Sequence, residues 1–120
     1  MDADTLFRVA QQEFGIAHVT LRYVNLPFET DPDMRHYEVH VNERDDSWFR
    51  IEELVRGAVG TNGTEEQDAR IAVAIRAALP EDFPRIVAVS DDAGMYVDLV
   101  SGITSAMIRA GWRDVSEGGF

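Results

Sequence analysis

The sequence predicts a two-layer α+β domain: one antiparallel sheet of about four strands with helices on one face, in the order α-β-β-α-α-β-β-α. Three observations predict it. Residues 16–25 and 35–43 alternate apolar and polar side chains on either side of a proline-containing stretch. Residues 64–79 repeat apolar side chains at helical spacing behind a capping pattern. Residues 85–90 and 95–100 are short apolar runs around Asp91-Asp92-Ala93-Gly94.

The first helix is predicted over residues 4–14. Asp2 and Asp4 suit a helix start, Phe7, Ala10 and Phe14 share a face, and Gly15 is a natural stop. In the strand over 16–25, Ala17, Val19, Leu21 and Tyr23 form one face and His18, Thr20 and Arg22 the other. In the strand over 35–43, Tyr37, Val39 and Val41 oppose His36, Glu38 and His40. The connection between them contains Pro27 and Pro32 and is predicted to be a loop, so the two strands form an antiparallel hairpin. A register symmetric about Thr30 sets Arg22 opposite Glu38 and Thr20 opposite His40.

A second helix is predicted over 47–59, capped by Asp46 or Ser47, because Trp48, Ile51, Val55 and Ala58 recur at helical spacing and Leu54 widens the stripe. Gly60-Thr61-Asn62-Gly63 breaks it. The helix over 64–79 starts with Thr64 and Gln67 in capping-box positions, presents Ile71, Ala74, Ile75 and Ala78 on one face, and ends at Pro80. The runs over 85–90 and 95–100 make a second hairpin, the alternative being that 95–100 begins one long helix. Ser101 caps a last helix with Ile103, Ala106, Met107 and Ala110 on one face, stopped at Gly111 with Trp112 folded back. The predicted domain covers residues 1–115, and residues 116–120 form a flexible tail.

Composition narrows function. The 120 residues carry 22 Asp and Glu against 11 basic residues, a net charge of -11, and every basic residue is arginine. Such a chain is a poor partner for nucleic acid or an anionic membrane, both of which require positive surface. The absence of cysteine excludes disulfides, thiolate zinc sites and a cysteine nucleophile, and the absence of lysine excludes Schiff-base chemistry. No apolar run approaches the roughly 20 residues that cross a bilayer, and Met1-Asp2-Ala3-Asp4 places acid where a signal peptide carries base. The expected location is the cytoplasm.

Two groups of residues have chemical potential. His36-x-Glu38-x-His40 aligns two imidazoles and a carboxylate on one strand face, with His18 on the neighbouring strand, a donor set suited to zinc or another divalent transition metal. Ligands on one flat strand diverge, however, and the plain alternative is a solvated polar face with Glu38 paired to Arg22. The second group is acidic. Glu29, Asp31 and Asp33 lie beside Phe28 in the first loop, Asp45 and Asp46 follow the second strand, and Asp91 and Asp92 fall in the second turn. These side chains suit a surface that docks on a basic partner, with Phe28 as an apolar anchor. A solvated face that keeps a small domain soluble is the competing explanation. Gly57, Gly60 and Gly63 follow a predicted helix and precede Glu65 and Glu66, which would repel phosphate, so they are read as a connector.

No G-x-S-x-G or other nucleophile pattern is present. The expected function is therefore that of a non-enzymatic small acidic binding protein, an inhibitor, immunity protein or chaperone that covers a basic protein surface and needs no cofactor. In size, acidity and element order the chain is similar to type III secretion chaperones and, at the same coarse level, to bacterial toxin-immunity proteins, although no motif carries the likeness. The alternative is a metal-binding domain or metal-dependent enzyme built on His36, Glu38 and His40. A homodimer that binds a small molecule on its open sheet face is the third reading.

Overall fold

The computed structural model describes residues 3–24, 36–44, 47–55, 57–90 and 94–117. Helix α1 (Ala3–Phe14) leads through a 3-10 turn (Ile16–His18) into four strands, β1 (Val19–Val24), β2 (His36–Arg44), β3 (Ser47–Val55) and β4 (Ala58–Thr61). Helix α2 (Glu65–Ala77), strands β5 (Val87–Ser90) and β6 (Met95–Asp98), helix α3 (Ser105–Gly111), strand β7 (Arg113–Asp114) and a 3-10 turn (Val115–Glu117) follow. The strands make one sheet in sequence order, β1 to β7. All neighbours are antiparallel except β4 and β5, which run parallel because α2 carries the chain back between them. The fold is mixed α+β; among the described residues it has three helices and seven strands rather than about four.

The first hairpin has the predicted register, with Arg22 opposite Glu38 and Thr20 opposite His40. Helix α1 stops where expected: Gly15 has φ 97° and its amide donates to the Gln11 carbonyl at 2.9 Å. That turn also corrects the start of the first strand. The His18 amide donates to the Gly15 carbonyl at 3.1 Å, which closes a 3-10 turn and leaves Ala17 and His18 outside β1. The main apolar contact of α1 is made by Leu6, Val9 and Ala10 with Phe14, while Phe7 packs at its margin.

The largest correction concerns residues 47–59, which form β3 and β4 instead of a helix. Phe49 and Ile51 are 2% and 0% exposed, whereas Trp48 is 60% exposed, so burial follows a period of two. The helical spacing of Trp48, Ile51, Val55 and Ala58 is coincidental. Gly57, at φ 87°, turns the chain between Val55 and its partner Ala58, and its carbonyl accepts the Val87 amide at 2.8 Å. Pairing on both sides of β3 overrides the helix propensity of Glu52, Glu53 and Leu54. The Gly60-Thr61 pair, read as a helix breaker, lies within β4.

Helix α2 has the predicted capping box, with the Thr64 hydroxyl accepting from the Gln67 amide at 3.2 Å and Gln67 Oε1 accepting from the Thr64 amide at 2.9 Å. Its buried face contains Ile71 and Ile75 as expected, but Ala69 and Ala72 take the place of Ala78, which is exposed. The 95–100 run does return as a strand, ending at Asp98. Helix α3 starts later than predicted, with Thr104 rather than Ser101 as its cap, and is rotated. Ile108 is fully buried and Ile103 nearly so, while Ala106, Met107 and Ala110 are exposed. Of the predicted tail, Ser116 belongs to a 3-10 turn, where its amide donates to Asp114.

One apolar cluster joins the three helices to alternate residues of the sheet, including Leu6, Val39, Phe49, Ile71, Val97 and Ile108. A smaller cluster of Ala58, Val87, Val89 and Tyr96 uses the intervening strand positions and so lies on the opposite side of the sheet. No helix among the described residues is long and apolar enough to cross a membrane.

Candidate functional site

Phe28, Glu29, Asp31, Asp33, Asp45, Asp46, Asp91 and Asp92 lie outside the described residues, but the strand ends beside them are described. Val24 and His36 pair at one end of the sheet. Arg44 and Ser47, and Ser90 and Met95, pair at the other. The described strand ends that flank residues 45–46 and 91–93 thus lie at one end of the sheet, and those that flank residues 25–35 lie at the opposite end.

The end marked by Arg44 and Ser90 also holds the start of α2, because β4 ends there at Thr61. A cavity of about 530 Å³ opens at this place. Gly63, Glu65 and Asp68 line it from the entry to α2, Ser90 and Met95 from the β5–β6 pair, and Arg109 and Trp112 from the end of α3. Ser90 and Met95 are register partners, which brings their side chains to the same side of the sheet. Gly111 lets the chain pass close to β6, since a Cβ there would come within 3.2 Å of Val97 Cγ2.

The wall beside α2 is firmly held. Asp68 is 4% exposed and accepts hydrogen bonds from the Thr61 hydroxyl and from the Gly63 amide, the latter at 3.0 Å. Further along the helix, Arg70 donates to Glu43 at 2.8 Å and to Glu13 at 3.1 Å, and its guanidinium lies 4.5 Å from the centre of the Phe14 ring. The hydrogen bond to Glu43 first, and then that to Glu13, hold the Arg70 pKa above its ordinary value. Gln67 also donates to Glu43, at 3.1 Å. Glu43 and Glu13 are thus engaged inside the fold. Glu65 and Arg109 are exposed, and neither side chain has a hydrogen bond or ion pair with a described residue.

The described side chains of the histidine-bearing face contact one another. Glu38 and His40 do project from one side of β2, as predicted. The His40 ring lies on Trp48, with centroids 5.1 Å apart and planes 9° from parallel. Its Nε2 is 3.7 Å from one Glu38 oxygen, while the other is 3.5 Å from Arg50 Nε, which is equally close to Glu52. Arg50, not Arg22, is the arginine that approaches Glu38 closely. His18 stands in the 3-10 turn before β1, exposed, and the His36 side chain lies outside the described residues. Among the described residues, no group of three or more His, Asp and Glu side chains is gathered to hold a metal.

The cavity had only faint traces in the sequence. Its lining comes from residues 63–68, 90–95 and 109–112, which are distant in the chain. The capping box marked the mouth of α2, and Gly111-Trp112 marked a turn, but nothing in their spacing brings them together. Comparison with known proteins finds no matching family model, no matching curated protein and no matching solved structure.

Proposed function

We propose that the chain is a non-enzymatic acidic binding protein, an inhibitor, immunity protein or chaperone that covers a basic surface of a protein partner. The observation that carries this reading is the net charge of -11 together with where the arginines are placed. Arg70 is tied to Glu13 and Glu43, and Arg85 to Asp98. Arg76 is 6% exposed and donates to the carbonyls of Leu79, Pro80 and Glu81. These cations serve the fold, and the unbalanced charge left to attract a partner is negative. A surface of this sign steers a basic protein and raises its rate of association.

In this reading Asp45, Asp46, Asp91, Asp92, Glu29, Asp31 and Asp33 supply the charge that meets the partner, with Phe28 as an apolar anchor. The partner is a basic protein, met in the cytoplasm, and no cofactor takes part. The test is charge reversal in two acidic stretches: Asp91→Arg with Asp92→Arg, and separately Asp31→Arg with Asp33→Arg. The reading expects at least one pair to slow association with the partner about tenfold or more at low salt, an effect that shrinks as salt screens it. Unchanged association rates for both pairs would contradict it.

A further inference from the structure

We infer that the cavity between α2 and α3 receives an arginine side chain of the basic partner. This rests on the proposed covering of a basic surface and gives that surface a point of contact. The volume of about 530 Å³ falls within the range of roughly 300–1,000 Å³ typical of binding pockets and accommodates one long side chain with water. Met95 and Trp112 provide an apolar wall for the aliphatic stem and an aromatic face for a planar guanidinium. Glu65 provides a carboxylate with no partner among the described residues. Among the described lining residues, two carboxylates, Glu65 and Asp68, and one guanidinium, Arg109, sum to one net negative charge.

The start of α2 does not favour an anion instead. Thr64 and Gln67 cap its first amides, the Asp68 carboxylate takes the Gly63 amide, and Glu65 and Glu66 occupy its first turn. Among the described lining residues, Arg109 is the one group that opposes a cation, and it turns the inference into a prediction of sign. Removing its charge strengthens binding if the ligand is a cation and weakens it if the ligand carries an anion.

The experiment is an NMR titration of the 15N-labelled full chain with Nα-acetyl-arginine amide, which has a guanidinium and no carboxylate. Nα-acetyl-norleucine amide serves as the uncharged control. The expected result is saturable shifts at the Trp112 indole N–H and the Gly63, Glu65 and Met95 amides, with the Trp48 indole unmoved and the control inert. Glu65→Gln weakens binding several-fold and Arg109→Gln strengthens it. Both side chains are exposed, so the folded spectrum is expected to persist. Shifts spread evenly over acidic sites, equal binding of the control, indifference to Glu65→Gln, or weaker binding in Arg109→Gln would each overturn the inference. The probe involves no partner. Its failure leaves the covering of a basic protein open to its own test, and failure of that test leaves titration of the cavity unaffected.

Discussion

The Thr61 hydroxyl donates a hydrogen bond to the Asp68 carboxylate, joining the last residue of β4 to the first part of α2. Both residues are almost fully buried, at 2% and 4% exposure, and the Gly63 amide donates to the same carboxylate oxygen. One side chain therefore fixes the turn that reverses the chain before the parallel return to β5. The same turn shapes the cavity wall. Asp68→Ala leaves the Thr61 hydroxyl and the Gly63 amide short of an acceptor, at a cost of about 1–3 kcal/mol. Urea denaturation measures it. Thr61→Val in the Asp68→Ala background should cost less than Thr61→Val alone, because the shared bond is already lost.

Gly57→Ala separates the observed hairpin from the helix that the spacing of residues 47–59 predicts. In a helix interior, alanine would stabilise the protein by roughly 0.5–1 kcal/mol relative to glycine. In the hairpin, Gly57 has φ 87° and an added Cβ would lie 3.0 Å from the Arg85 carbonyl oxygen. The expected outcome is destabilisation of about 1–3 kcal/mol, seen as a lower urea midpoint. A higher midpoint would contradict the hairpin.

Arg70→Met tests the cation shared by α1, α2 and β2. Arg70, Glu13 and Glu43 are each about a third exposed, so solvent screens the pairs and the expected loss is about 1 kcal/mol, smaller at high salt. The Arg70 pKa is raised above its ordinary value, so its contribution is fully present below that ordinary value and is lost only as pH rises through the still higher folded one. The difference in stability between wild type and Arg70→Met should therefore be flat between about pH 6 and 9, where the glutamates are also ionised. A slope across that interval in denaturation experiments would contradict the assignment.

Asp114 accepts from the Ser116 amide at 2.9 Å and from the Ser116 hydroxyl at 2.7 Å. These bonds, the hydroxyl's first, hold its pKa below the ordinary 3.8. The stabilisation of this turn is thus present above pH 3.8 and fades as pH falls through the lower folded value. An NMR titration following Asp114 should give a midpoint below 3.8, and Ser116→Ala should move it upward. An unchanged midpoint in Ser116→Ala would show that the bonds do not set it.

The parts of the fold legible in the sequence are those where one local rule acts unopposed. Thr64 and Gln67 satisfy each other within a single turn, and Gly15 stops α1 without help from elsewhere. The Arg22–Glu38 register follows from two alternating strands around one loop. Residues 47–59 were illegible because two periods coincide there. Ile51 and Val55 fit a helical stripe, and only the burial of Phe49 with exposure of Trp48 selects a strand. The α3 face was misread because Ile108, one position from Met107, carries the buried contact. The histidine pattern located a real strand face, but the partners of Glu38 and His40 there, Arg50 and Trp48, come from a segment read as helix. The cavity depends on the same missing strands, since β4 sets where α2 begins beside Ser90 and Met95.

The central claim is that the chain covers a basic protein. Native mass spectrometry of the protein purified gently from its own host, with metal analysis on the same sample, tests it most directly. The account predicts a complex with a basic protein at fixed stoichiometry that dissociates as salt is raised. A chain that emerges without a protein partner and with a near-stoichiometric transition metal, lost on His36→Ala and His40→Ala, would contradict it.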